Sequence, residues 1–363
     1  MKKKKFFDLS PVDNTGAKWK MLIGMRSRGK SYEVKYKAIK KNRDKKKLIA
    51  YIRRWDTDIK ESFVTSYFED MTEAKNGYKA VEDITGGEWQ GVQGFRGFLY
   101  YYRNKEDGKI ERSEPIGRYF SLNTAERYKS QSFKNYGTII VEEISTDAIY
   151  LNDEPNRLMN LISTITRDDD DVDIYLIGNK ISRVSPYFSE WNLHNVPFQK
   201  EGTVEVYHLE RMDGDIIDFA VYNTDKAETK SKLFFGASSK QIQGNEWDVK
   251  EVPKLEKPYE YYESVYKCLV KYTSFSFKVE LLVDTNNGGA FVYVYPFKRE
   301  RSKIKRIITD TFSVDPLISP CFDSRRTPEK KIIECFRLGK VCYSDNLTGA
   351  DFTNLRNNYD MGV

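Results

Sequence analysis

A chain of 363 residues, 39% of them hydrophobic and including 25 Tyr and 21 Phe, holds enough apolar material for two cores, so its low hydropathy reflects charge and disorder is excluded. Four cysteines, Cys268, Cys321, Cys335 and Cys342, form no C-x-x-C pair and only His194 and His208 could join them, which argues against zinc and for reduced thiols in a cytosolic protein. No apolar run approaches a membrane span, the basic N-terminus leads no signal-like segment, and the net charge of +6 is modest, with Lys and Arg clustered at 2–5, 40–47 and 298–306 as solvated faces or polyanion contacts.

Lys18 to Ile23 reads as a short strand and Ser31 to Ile39 as a helix. Between them Gly24-Met25-Arg26-Ser27-Arg28-Gly29-Lys30-Ser31 fits G-x-x-x-x-G-K-[ST], the phosphate-binding loop. Its glycines let successive N–H groups turn toward a triphosphate, Lys30 reaches the β and γ phosphates, and the Ser31 hydroxyl takes a Mg²⁺ position. Arg26 and Arg28 would add charge there or face solvent.

Leu48 to Ile52 is a buried second strand of a parallel sheet, opening at Arg53-Arg54 toward ligand. Asp56 to Met71 has helical spacing, with Ile59, Phe63, Tyr67 and Met71 on the expected core stripe. Residues 95–103 and 109–120 flank an Asp107-Gly108 turn and predict a β-hairpin. A polar connector then carries Lys129 and Ser130.

Tyr136 to Val141 is β-branched and closes on Glu142-Glu143, the Walker B pattern of a nucleotide-hydrolysing sheet. The first acid would order the Mg²⁺ shell beside Ser31 and the second polarise the attacking water. Asn156 to Thr166 predicts a helix followed by Arg167, and the acidic run 168–171 a solvated loop. Val172 to Ile177 is a further buried strand whose tip, Asn179, stands where a γ-phosphate sensor belongs. From 204 to 221 the pattern is β-like. Charged and polar stretches follow it, and the whole of 201–255 reads as a linker or small intermediate module between an ATPase unit, 1–200, and a final domain, 256–363. That last domain contains a hairpin, 275–284 with 290–296.

Taken in order, the loop, Tyr51 to Trp55, Lys129-Ser130, Thr138 to Glu143, Arg167 and Ser185-Pro186-Tyr187-Phe188 resemble the DNA-packaging ATPases of phi29-type tailed bacteriophages. The resemblance covers roughly the first 200 residues, with a weaker likeness at Asp284 to Gly288. It implies an α/β fold: an N-terminal P-loop NTPase of the ASCE class with a RecA-like central parallel sheet, and a smaller α+β RNase H-like C-terminal domain, a vestigial nuclease. It implies ATP and Mg²⁺ as cofactors and a homo-pentameric ring at the portal of an empty procapsid, driving double-stranded DNA inward in the host cytoplasm without a membrane. Glu143 would be the catalytic carboxylate, Glu142 the metal-side acid, and Arg167 the arginine finger given to the neighbouring subunit with help from Lys129. Arg53 and Lys60 are placed on DNA phosphates, and Lys298 to Arg306 on packaging RNA or the portal. The family pattern has Asp where this chain has Glu142. The alternatives are a large terminase with a working nuclease, another ring-forming P-loop DNA translocase or helicase, and a non-hydrolysing nucleotide-gated scaffold.

Overall fold

The structure is a computed structural model and describes residues 7–25, 29–72, 78–129, 131–146, 149–167, 171–211, 213–224, 247, 249–297 and 306–363. The N-terminal part is built on nine strands: β1 (Trp19–Ile23), β2 (Leu48–Arg53), β3 (Gly91–Phe95), β4 (Phe98–Asn104), β5 (Ile110–Ser121), β6 (Tyr136–Glu142), β7 (Asp173–Gly178), β8 (Thr203–Glu210) and β9 (Ile216–Asn223). They lie in the order β3-β4-β5-β2-β6-β7-β1-β9-β8. The six from β5 to β9 run parallel, and antiparallel β3-β4 and β8 close the two sides.

Strand alternation sends each sequence run to two cores. Ile49 and Tyr51 of β2 face helices α1 (Ser10–Asp13), α2 (Lys30–Lys45), α3 (Glu61–Glu69) and α4 (Ala80–Thr85), whereas Ala50 and Ile52 face α5 (Glu154–Thr166) and α6 (Pro186–Glu190). Covering both faces is what allows continuous apolar strands, and β1 is buried along its whole length. Its one charge, Lys20, is neutralised by Asp173 Oδ1 of neighbouring β7 at 2.6 Å.

Three expectations change here. Residues 203–223 are no separate module: β9 pairs with β1 along Trp19↔Phe219 to Ile23↔Asn223, so the first unit runs past residue 200 to Thr224. At the other end of the supposed module Val252 already packs in the C-terminal core, and Pro253 accepts from the Tyr343 N–H; residues 225–246 lie outside the described set. The helix stripe over 56–71 is met in part: Met71 is buried and Ile59 and Tyr67 pack against the core, but a 3-10 turn at Asp56–Ile59 precedes α3, and Val64 and Phe68 are buried where Phe63 is exposed.

The second sheet comprises β10 (Tyr262–Tyr272), β11 (Phe275–Asp284), β12 (Ala290–Pro296), β13 (Ile307–Thr309), β14 (Ile318–Ser319) and β15 (Val341–Tyr343), in the order β14-β13-β10-β11-β12-β15. A meander of β10, β11 and β12 with β13 and β14 parallel to β10 on its far side is the RNase H-like arrangement. Helices α7 (Thr327–Arg337) and α8 (Asn346–Asn358) pack on this sheet and share its core. The four cysteines are unpaired, and among the described residues no helix is long and apolar enough to cross a membrane.

The two sheets meet through the segment after β7. Arg183 pairs with Asp351 of α8 at 3.2 Å and stacks on Phe198 and Phe275, while Val184 enters the C-terminal core.

Candidate nucleotide site

The site forms at the carboxyl ends of β1, β6 and β7, where parallel strands open onto a crevice. The chain leaves β1 at Gly24, whose N–H donates to Gly178 O at 3.4 Å, and Gly29, with φ +81°, stands directly before α2. That left-handed turn suits glycine. Gly24 is needed for space: a Cβ there would stand 1.8 Å from Thr224 Oγ1, since Thr224 donates its N–H to Ile23 O at the end of β9. Met25 is buried; Arg26, Ser27 and Arg28 lie outside the described residues.

Lys30 is buried at the start of α2, and its ammonium donates to the Gly24 and Met25 carbonyls and, at 3.5 Å, to Asn179 Oδ1. The loop lysine and the tip of β7 therefore meet. Across from them β6 ends in Glu142, which accepts from the Ser31 hydroxyl and, at 2.7 Å, from Tyr67 Oη. Burial raises the pKa of Glu142, and the two hydroxyls and the Lys35 charge only partly oppose this. Glu143 follows with φ +59°, a left-handed conformation that costs a non-glycine residue about 1 kcal/mol or more and points its carboxylate into the opening. Arg53 Nη2 of β2 holds Glu143 Oε2 at 2.7 Å and lies 3.6 Å from Asp58. Gly29, Lys30, Ser31, Glu142, Glu143 and Asn179 line one cavity of about 270 Å³.

This set fits a nucleotide with a divalent cation. A helix N-terminus and an ammonium face the cavity, suited to phosphate oxygens. Ser31 and Glu142 supply a hydroxyl and a carboxylate side by side, the hard oxygen donors that Mg²⁺ takes.

Arg167 and Lys129 are not in this cavity. Helix α5 runs back over the sheet, so Arg167 at its end lies toward the amino ends of the strands, and β6, seven residues long, separates the two levels by about 20 Å. Both side chains are exposed, and Arg167 Nη2 donates to the Lys129 carbonyl at 3.2 Å. Ser130 lies outside the described residues.

The expected DNA contacts separate. Lys60 is exposed at the head of α3, with its ammonium 6.0 Å from the Phe63 ring centroid. Arg53, in contrast, is engaged by Glu143 and Asp58 inside the site, so its placement on DNA is corrected: its nearest anions are the protein's own carboxylates. Arg54, its sequence neighbour, is turned away from ligand and buried in an ion pair with Glu154, its Nε–H shared between the two carboxylate oxygens, of which Oε1 also accepts from Tyr187. This pair anchors α5 behind β6.

Sequence reasoning missed Tyr67, Lys35 and Asp70. Lys35, one helical turn beyond Ser31, pairs with Asp70 Oδ1 at 2.6 Å and donates to the Tyr67 carbonyl. The available signal was a lysine on the inward face of α2.

Residues 1–309 match the family described as Podovirus DNA encapsidation protein (Gp16). Over 175 residues the chain is 27% identical to the DNA packaging proteins of Bacillus phages phi29 and PZA, covering 47% of this chain and 46% of each relative. The chain thus spans about half the length of the curated relatives it matches. Its fold is similar to that of the chain in the bacteriophage Phi-29 viral genome packaging motor assembly, at 18% identity with a TM-score of 0.54, covering 97% of this chain and 99% of that one. With more than four fifths of its length inside the family match, the chain belongs to the Podovirus DNA encapsidation protein family.

Proposed function

We propose that this chain is an ATP-driven motor that moves double-stranded DNA into a procapsid, acting as a homo-pentameric ring on the portal in the host cytoplasm. The observation that carries the reading is the convergence of Lys30, Ser31, Glu142, Glu143 and Asn179 on one cavity in a member of an encapsidation family. Bound ATP and Mg²⁺ would supply the phosphoryl group and much of the charge neutralisation. Lys30 binds the phosphates, Ser31 and Glu142 hold the cation side, and Glu143 accepts the proton of the attacking water at its carboxylate. Asn179, already on Lys30, reports the state of the γ position to the segment that carries Arg183, the partner of Asp351 on α8.

Because Glu143 is held by Arg53 here, it must exchange that partner before it can take a proton. Arg167 and Lys129 are exposed and about one strand length from their own cavity, and we read them as serving a neighbour's, which would make turnover depend on the ring. Lys60 contacts DNA phosphates, which gives sequence-independent, salt-sensitive binding. Packaging RNA or the portal meets the basic run 298–306. The second sheet is read as a vestige: Asp310 follows β13, yet the facing stretch of β10 offers Leu269, Val270 and Lys271, and no three metal-ligating side chains converge among the described residues.

The test is the DNA-stimulated ATPase rate of mixed subunits. Arg167→Ala and Glu143→Gln should each be inactive alone and regain turnover when mixed, since one supplies the intact pocket and the other the intact finger. A rate that merely follows the wild-type fraction in mixtures with wild type would place Arg167 within its own subunit and sink the ring reading.

A further inference from the structure

Glu142 poses a positioning problem. A glutamate carries one more rotatable bond than an aspartate, so a carboxylate at this strand end sweeps a wider arc unless something fixes it. Among the described residues no ion pair does so. Its hydrogen-bond partners are two hydroxyls, Ser31 from the nucleotide loop and Tyr67 from α3.

Tyr67 is itself fixed by two neighbours. Its ring stacks on Tyr51 of β2, with centroids 4.4 Å apart and an interplanar angle of 21°. The Lys35 ammonium sits 4.3 Å from the ring centroid, and that ammonium is tied to Asp70 and to the Tyr67 carbonyl. Lys35 is 2% exposed, so the clamp is sheltered from solvent, and it belongs to α2, the helix that also presents Lys30 and Ser31. A phenol held this firmly aims its O–H at one point, Glu142 Oε1 at 2.7 Å.

We propose that Tyr67 is the positioning residue of the metal-side carboxylate: its hydroxyl pins Oε1 of Glu142 so that the acid faces Ser31 and the water shell of a bound divalent cation. The inference rests on the reading of Ser31 and Glu142 as the cation side of the site. Tyr67 touches neither nucleotide nor cation; it acts through Glu142, as outer partners of metal ligands do. The same contact explains how a glutamate serves where the family pattern has aspartate, because the clamp removes the freedom that the extra methylene adds.

The test is binding of a fluorescent ATP analogue, mant-ATP, to the full chain, in EDTA and across a Mg²⁺ titration. Tyr67→Phe keeps the ring and its stacking, so affinity in EDTA should stay within about twofold of wild type while the half-saturating Mg²⁺ concentration rises about tenfold. Glu142→Asp should raise it as well by withdrawing the carboxylate from Tyr67, and adding Tyr67→Phe to Glu142→Asp should then cost little more, as expected of one shared contact. An unchanged Mg²⁺ half-saturation in Tyr67→Phe, an equal loss of affinity in EDTA, or additive effects in the double variant would each overturn the inference. Wild type with no Mg²⁺-dependent gain in affinity would instead overturn the nucleotide reading, and this inference with it. Should Tyr67→Phe fail to fold, Glu142→Asp decides alone: an unchanged half-saturation there is the overturning result.

Discussion

Both sheets bury a glutamate on a strand, and the two carboxylates are treated in opposite ways. Glu142, at the tip of β6, meets two hydroxyls and an open cavity, and burial raises its pKa. Glu280, midway along β11 and fully buried, accepts from Tyr259 at 2.6 Å, Ser264 at 3.2 Å and Tyr295, and pairs with Lys267 at 3.0 Å; these donors outweigh burial and hold its pKa below the usual carboxylate value. Glu329 of α7 follows the second pattern, paired with buried Arg306 at 3.0 Å. Burial alone therefore does not mark a working acid. What sets Glu142 apart is a carboxylate whose partners do not offset its burial, beside a space that a cation can enter.

The contrast breaks most sharply on activity. Glu143→Gln should lower DNA-stimulated ATP turnover about 10²–10⁴-fold and Glu142→Gln should also abolish Mg²⁺-dependent turnover, while Glu280→Gln leaves it intact; steady-state phosphate release decides. A large loss from Glu280→Gln would mean that the second sheet takes part in the chemistry. On stability the ranking inverts. Glu329→Gln strands the buried Arg306 charge and should cost about 3–5 kcal/mol in urea unfolding of the full chain. Glu142→Gln should cost nothing.

Acidity sharpens the same point at smaller scale. Because the Glu280 pKa is lowered on folding, its contribution is present above its ordinary value of 4.5 and disappears on acidification through the folded value, so wild type and Glu280→Gln, about 1–2 kcal/mol apart at pH 7, should converge in acid. Glu142, raised on folding, behaves oppositely: stability falls as pH rises above its ordinary value of 4.5, so Glu142→Gln should match or exceed wild type at pH 7 and lose that advantage in acid. Asp351, which burial pushes up to about 7 against the pull of Arg183, follows Glu142 in sign. The folded chain binds that proton more readily than the unfolded one between 3.8 and about 7, so stability falls as pH rises across that window; Asp351→Asn should flatten the slope, worth up to about 4 kcal/mol over the whole window, in unfolding followed by intrinsic fluorescence.

Much of the nucleotide site could be read from the chain because its signals are local. The loop is eight consecutive residues, Glu142-Glu143 ends a β-branched run, and strand alternation sorts Ile49 and Tyr51 from Ala50 and Ile52 without knowledge of the partners. What stayed hidden depends on pairing across long separations. β9 looked like part of a linker because its partner β1 lies some 200 residues earlier. Tyr67 looked like one residue of a core stripe because Glu142 is 75 residues away. Arg53 looked like a DNA contact because nothing in its own neighbourhood shows that Glu143 claims it. Charge type is written locally; which opposite charge it meets is decided by topology.

The contact between Gly24 and Thr224 carries a mechanical consequence. The first turn of the loop and Thr224, the residue that follows β9, occupy the same pocket of space, with no room for a methyl group between them. Thr224 is also where the chain departs toward the second sheet. A loop that shifts as phosphate enters or leaves has no slack at this point and must push on, or draw back from, the root of that departure. The loop and the end of β9 thus share a tight bearing, and Gly24→Ala would jam it, whereas pairing that change with Thr224→Gly would restore the clearance.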